Sequence, residues 1–366
     1  RPRRHVLHGS CDVMRILSKK YRKHHFWLGG LVVFFVLFAL LRQSREAMNF
    51  LAFRVVLPVM QWVGRLCAAV DFSVAEALIF SAIWVAVFYI TVQLRKKRFG
   101  HLVVTLVEVA ATVLACACLL WGTFYGADSF QEKTGLTARG GTVEELAAVT
   151  AYFAQGVIEY ADEVERDVQG VFAVPRSEIF DSAEESYKGV VKLFPCLEED
   201  VLRPKGLVMS RLLSAMDFTG FYFAFTGEAN VNVDSPACYL PTTICHELAH
   251  QQGIASEQEC NFVGIMAAIT SDDPVYRYSG YLMGYVYLAN ALYRVDRDAW
   301  QVIRSAIPQE ALIDLQYHRA YWAQFEGPVK TVSTTVYDGY LKANGLEGGI
   351  ANYGTVVDLL LGFFLQ

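Results

Sequence analysis

Charge is scarce in this 366-residue sequence, at 19% of residues, against 54% hydrophobic ones. A chain so poor in charge is not an ordinary soluble protein throughout, although it is long enough to bury a sizeable core. Neither sign dominates. The net charge is only −5, which argues against the basic footprint that nucleic-acid binding requires, so no nucleic acid is expected as a partner. The eight cysteines include no CxxC pair near a second one, and no disulfide framework or zinc ribbon is implied. Cys116 and Cys118 lie in an apolar stretch. Cys196, Cys238, Cys245 and Cys260 read as small buried thiols. Internal repeats and low-complexity segments are missing too.

What is present is strongly divided. Most of the apolar excess lies before residue 126, where residues 26–41, 77–94 and 102–125 form runs long enough, or nearly so, to cross a bilayer. Basic residues cluster in the tail of residues 1–25 and in the Arg95-Lys96-Lys97-Arg98 loop. By the positive-inside rule both belong on the cytoplasmic side. Three spans then place residues 126–366 on the extracytoplasmic face of a multi-pass protein in the cell membrane. The 43–76 connection mixes apolar residues with Arg54 and Arg65 and reads as an interfacial helix rather than a fourth span. A fourth span would reverse the orientation. Glu108, inside the third run, reads as a protonated or interfacially hydrated carboxylate rather than a paired one.

Beyond residue 125 the pattern is that of one mostly helical α+β domain. Thr142 to Glu145 and Ser182 to Glu185 have capping-box spacing and should each open a helix. Residues 220–234 alternate and are rich in aromatics and Val, giving a small edge strand or hairpin. The segment 242–294 is helical in pattern, broken at Gly253 and at Asp273-Pro274.

Within it stands His246-Glu247-Leu248-Ala249-His250. Two histidines four apart share one helix face, and both imidazoles can bind one zinc ion. Glu247 can then serve as general base towards a water that zinc acidifies. A third ligand is needed. Glu257 and Glu259 both follow the glycine turn; the Ser256–Glu259 capping box would turn Glu259 back on the helix start and leave Glu257 for the metal, with Glu259 as the alternative. Asn261 falls on the Glu257 face and is expected to hold its carboxylate. Oxyanion stabilisers are sought on the helix after Pro274, with Tyr278 and Tyr281 foremost among Arg277, Tyr285 and Tyr287. His318, alone in a polar stretch, reads as a surface residue. By analogy with zinc peptidases, the strand before the zinc helix would bind the substrate backbone, lined by Glu228, Asn230 and Asn232.

The stretches FTGEANVNVD, LPTTICHELAHQQGIASEQECNF, YSGYLMGYVYLANALYR, YLKANG and ANYGTVVDLLL resemble a family of bacterial membrane proteins. That family is known as a domain of unknown function and described as HExxH zinc metallopeptidases. The likeness covers most of the chain, the three spans included. It implies a zincin-like fold and one Zn2+ per chain. The family's acidic pair and Asn fall on Glu257, Glu259 and Asn261, similar to the ExxxD helix of gluzincins, with Asn261 in place of Asp.

The expected activity is therefore hydrolysis of peptide bonds in an extracytoplasmic peptide or protein, by an enzyme anchored in the lipid bilayer. The rivals are a membrane zinc-domain receptor and a catalytically silent scaffold. The small cytoplasmic portion speaks against the first. The intact Glu247 speaks against the second.

Overall fold

The structure, a computed structural model, describes residues 22–343 and 354–365. Most of the basic tail and the start of the closing ANYGTVVDLLL stretch lie outside the described residues. Among the described residues, four helices are long and apolar enough to cross a membrane, by length and composition: Lys23–Leu41, Arg45–Cys67, Val74–Arg95 and Phe99–Gly122. They comprise α1 (Arg22–Leu41), α2 (the whole of Arg45–Cys67), α3 (Val74–Arg95) and α4 (Phe99–Ala117, prolonged by a π turn, Cys118–Gly122). The second of these is the connection expected to be interfacial.

The four differ in how they meet the rest of the chain. α3 begins at Ser73, whose hydroxyl accepts from Glu76 N, and its first free N–H groups, those of Val74 and Ala75, donate to the Glu228 carboxylate at 3.1 and 2.7 Å. In return the Glu76 carboxylate accepts from Val208 N and Met209 N. α1 and α4 reach the domain by their C-terminal ends, through Phe38 and Trp121. α2 touches it along its whole length. Near its start Arg45 and Asn49 bond Asp128 at 3.0 and 2.7 Å. Near its end Gln61 bonds Glu198 at 2.9 Å, and a Cβ on Gly64 would stand 2.9 Å from Gly227 O. The buried side is Met48, Ala52, Val56, Met60 and Gly64. A strict four-residue repeat drifts around an α-helix, and the wider π turn over Leu51–Val56 keeps the stripe on one face.

Glu108 is paired, contrary to expectation: its Oε2 lies 2.7 Å from His24 Nδ1, because α1 packs along α4 and brings the two together.

In the C-terminal part, α5 (Phe130–Thr134) precedes α6 (Val143–Tyr160), which opens on the expected Thr142–Glu145 box. The Ser182 box does not form. Ser182 ends one short helix and enters a 3-10 turn without a side-chain cap. α7 (Leu240–Gln251), α8 (Glu257–Thr270) and α9 (Pro274–Val295) build the core with α6, and α10 (Gln309–Ala323), α11 (Pro328–Ala343) and α12 (Gly354–Phe364) follow. Small residues set the α6–α9 spacing: a Cβ on Gly156 would meet the Tyr281 ring at 2.2 Å, and one on Gly284 would meet Phe153 at 2.3 Å.

Residues 220–234 fold as a hairpin in a three-stranded sheet of order β1-β3-β2, with β1 Lys205–Gly206, β2 Gly220–Phe223 and β3 Glu228–Val231. β3 is central, parallel to β1 and antiparallel to β2, with Phe221 opposite Asn230. This corrects the assignment of Glu228, Asn230 and Asn232 to a substrate-facing edge. Their side chains are buried and bonded inward, Glu228 to the start of α3, Asn230 to Ser73 and Asn232 to Ser214. The edge is β2.

Candidate metal centre

Pro241 in the first turn of α7 fixes the entry of the His246–His250 helix, and Gly253, at φ +78°, turns the chain out of it. The return helix α8 then lies very close. A Cβ on Gly264 would sit 2.9 Å from His246 N, so only glycine permits this approach.

That pairing of helices brings His246, His250 and Glu257 together, with one ligand atom from each within 4.8 Å of the others. His246 Nδ1 lies 2.9 Å from Asn261 Oδ1, and His250 Nδ1 lies 2.8 Å from the Ile254 carbonyl. Both partners are acceptors, so each Nδ1 carries a proton and each Nε2 is the ring atom available to Glu257, as a donor, or to a metal ion, as a ligand. The two Nε2 atoms face the Glu257 carboxylate at 3.2 and 3.7 Å. Donors about 2.0–2.2 Å from a tetrahedral zinc stand roughly 3.3 Å apart, so this donor set fits the ion in chemistry and spacing. Burial opposes ionisation of Glu257, but His250 and His246 outweigh it and hold the carboxyl well below its usual range.

Glu247 points elsewhere. It is buried, its Oε2 has no hydrogen-bond partner, and burial pushes its carboxyl up to about 7. Its Oε1 lies against β2, where a Cβ on Gly220 would come within 2.5 Å. The base candidate, the ligands and the sheet edge all border one cleft of about 1360 Å³.

The family described as "Protein of unknown function (DUF3810)" matches residues 54–361. The chain belongs to that family. The matched region includes the helix pair, the edge strand and the apolar helices after Arg54. Among curated proteins and among solved structures no match to the chain was found.

Several expected members of the centre lie elsewhere in this family member. Asn261 bonds His246, not Glu257, because its side chain leaves α8 beside the histidine ring. Glu259 does not close a box on Ser256. Only the Ser256 hydroxyl accepts from Glu259 N, while the carboxylate accepts from Phe130 N and Gln131 N at 3.1 Å and so caps α5. Tyr278 donates to Asp314 Oδ2 at 2.5 Å and stacks on Phe172, and Tyr281 stacks on Tyr160. Neither lines the cleft, because that face of α9 is spent on packing. Tyr285 and Tyr287 do line it. Arg277 bonds Tyr160. His318 is no plain surface residue: half-buried against Tyr239, it accepts from Trp322 Nε1.

The tyrosine that reaches the centre is Tyr337, on α11, whose hydroxyl donates to Glu257 Oε1. Trp121 joins it, with its ring 5.4 Å from that of His250. Sequence gave no local signal for either. One stands eighty residues beyond Glu257, the other inside an apolar run.

Proposed function

We propose that the chain is a membrane-anchored zinc metallopeptidase of zincin-like architecture, acting on extracytoplasmic peptide or protein substrates. The observation that carries this is the pairing of a three-donor cluster, His246, His250 and Glu257, with a separate buried carboxylate that has an unpartnered oxygen. A buried carboxylate without partners is costly, and a site that only held metal would have no use for one. This weighs against the silent scaffold.

Zinc bound by those three residues would supply Lewis acidity and acidify water to a pKa near 7. Glu247 accepts the proton of the attacking water and returns it to the leaving amine. β2 holds the substrate. Asn232 N donates to Thr219 O, so by antiparallel alternation the backbone groups of Phe221 face β3, and those of Gly220 and Tyr222 point outwards, free to pair with an extended peptide. The Tyr337 hydroxyl, a half-buried donor beside the ligands, supports a developing oxyanion.

For topology, α1, α3 and α4 cross the membrane and α2 lies flat along the domain. A span cannot keep both of its ends on one domain. The Arg95–Arg98 loop then faces the cytoplasm and the cleft the outside.

Zinc content and hydrolysis of a mixed quenched-fluorescent peptide library test the reading together. Glu247→Gln should keep zinc and lose about two to four orders of magnitude in turnover, while His246→Ala should lose the metal. Full zinc occupancy in His246→Ala would overturn the site.

A further inference from the structure

The metal centre stands unusually near the apolar helices. Trp121, which packs edge-on against His250, belongs to the apolar stretch Phe99–Gly122 itself. That stretch has 24 residues, about 36 Å at ~1.5 Å per residue, against ~30 Å of hydrocarbon. Its last turn therefore emerges at the bilayer surface and forms a wall of the cleft. Trp121 also packs on Tyr222 of the edge strand, 5.4 Å between centroids.

Two further surfaces point the same way. α2 joins the domain-side ends of α1 and α3, and its outward face carries Phe50, Val55, Val59, Trp62 and Leu66, all exposed. An apolar row on a helix that lies along the domain, continuous with two spans, fits the headgroup boundary. α11 borders the cleft through Lys330, Thr334, Tyr337 and Tyr340, and turns an exposed stripe of Val329, Val332 and Val336 the other way. The outer faces of α2 and α11 are thus apolar where a soluble enzyme would be charged.

From these we infer the substrate class: an extended segment that directly adjoins an apolar membrane anchor, presented to β2 from the bilayer side. The inference rests on the peptidase reading above. With the cluster one aromatic ring from the end of a span, and an extended chain advancing ~3.3 Å per residue, cleavage falls within about ten residues of the anchor.

Two measurements test it. New N-termini are compared in cells carrying the wild-type chain or Glu247→Gln at equal membrane levels. The expected Glu247-dependent termini lie in membrane-anchored proteins, on the extracytoplasmic side, within about ten residues of a hydrophobic segment. Termini in soluble proteins, or far from any anchor, would overturn the substrate class and leave the peptidase intact. If no Glu247-dependent termini form at all, the peptidase reading fails and takes this class with it. The second measurement needs no activity: the full chain in lipid nanodiscs is labelled with photoreactive lipids whose reactive group sits at headgroup or mid-chain depth. Headgroup-depth labelling should run along α2 from Phe50 to Leu66. Mid-chain labelling at the centre of α2 would make it a span and remove the membrane-surface placement.

Discussion

Replacing Asn261 separates two roles that a side chain beside a metal ligand can have. In the structure it accepts from His246 Nδ1 at 2.9 Å, fixing the tautomer that offers Nε2. Loss of such a partner weakens metal binding roughly 10–100-fold, or about 1.4–2.8 kcal/mol. The His246 side chain is 16% exposed, so water can replace part of the lost bond, and Asn261→Ala should fall near the 10-fold end. Asn261→Asp puts a carboxylate on the same ring nitrogen, a stronger acceptor, and should bind zinc at least as tightly as wild type at neutral pH. The assay is competition for zinc between the detergent-solubilised protein and a chromophoric chelator. Had Asn261 held Glu257 instead, the Asp variant would set two carboxylates against each other and bind zinc worse than the Ala variant. That order of affinities would refute the reasoning, as would an Ala variant equal to wild type.

Other perturbations probe other parts of the centre. Gly220→Ala drives a methyl group to within 2.5 Å of Glu247 Oε1; zinc should stay while turnover drops about 100-fold, the usual effect of displacing a reacting group by about 1 Å, as read by metal analysis with the peptide library. Glu259→Gln exchanges an acceptor-only group for an amide at the start of α5. It should lower stability by about 1.5–3 kcal/mol in a thermal melt and leave zinc content unchanged. A reporter enzyme fused after residue 366 should register outside the cytoplasm and one within the 95–101 loop inside it; the reverse pattern would place an even number of spans before residue 126.

Local pattern alone determined a good deal. The HExxH spacing fixes both histidines on one helix face because 3.6 residues make a turn. Gly253 marks the turn because only glycine takes a positive φ there without strain. The long apolar runs and the Thr142 capping box were legible for similar reasons, since each depends on residues a few positions apart. What lay beyond reach depended on contacts between distant segments. Sequence prefers Glu257 to Glu259 only on the strength of a Ser256 capping box that does not close, since the two have the same chemistry and nearly the same place in sequence. Tertiary packing separates them, by setting α5 against one and two imidazoles against the other. Tyr278 and Tyr281 belonged to a tyrosine-rich helix whose buried face could not be known until Gly156 and Gly284 brought α6 against it. Tyr337 and Trp121 reach the centre from opposite sides of the motif in sequence, and Glu108 meets His24 across 84 residues. Periodicity reports which face of an element is apolar; it carries no information about which element covers that face, and the centre of this protein is assembled from those coverings.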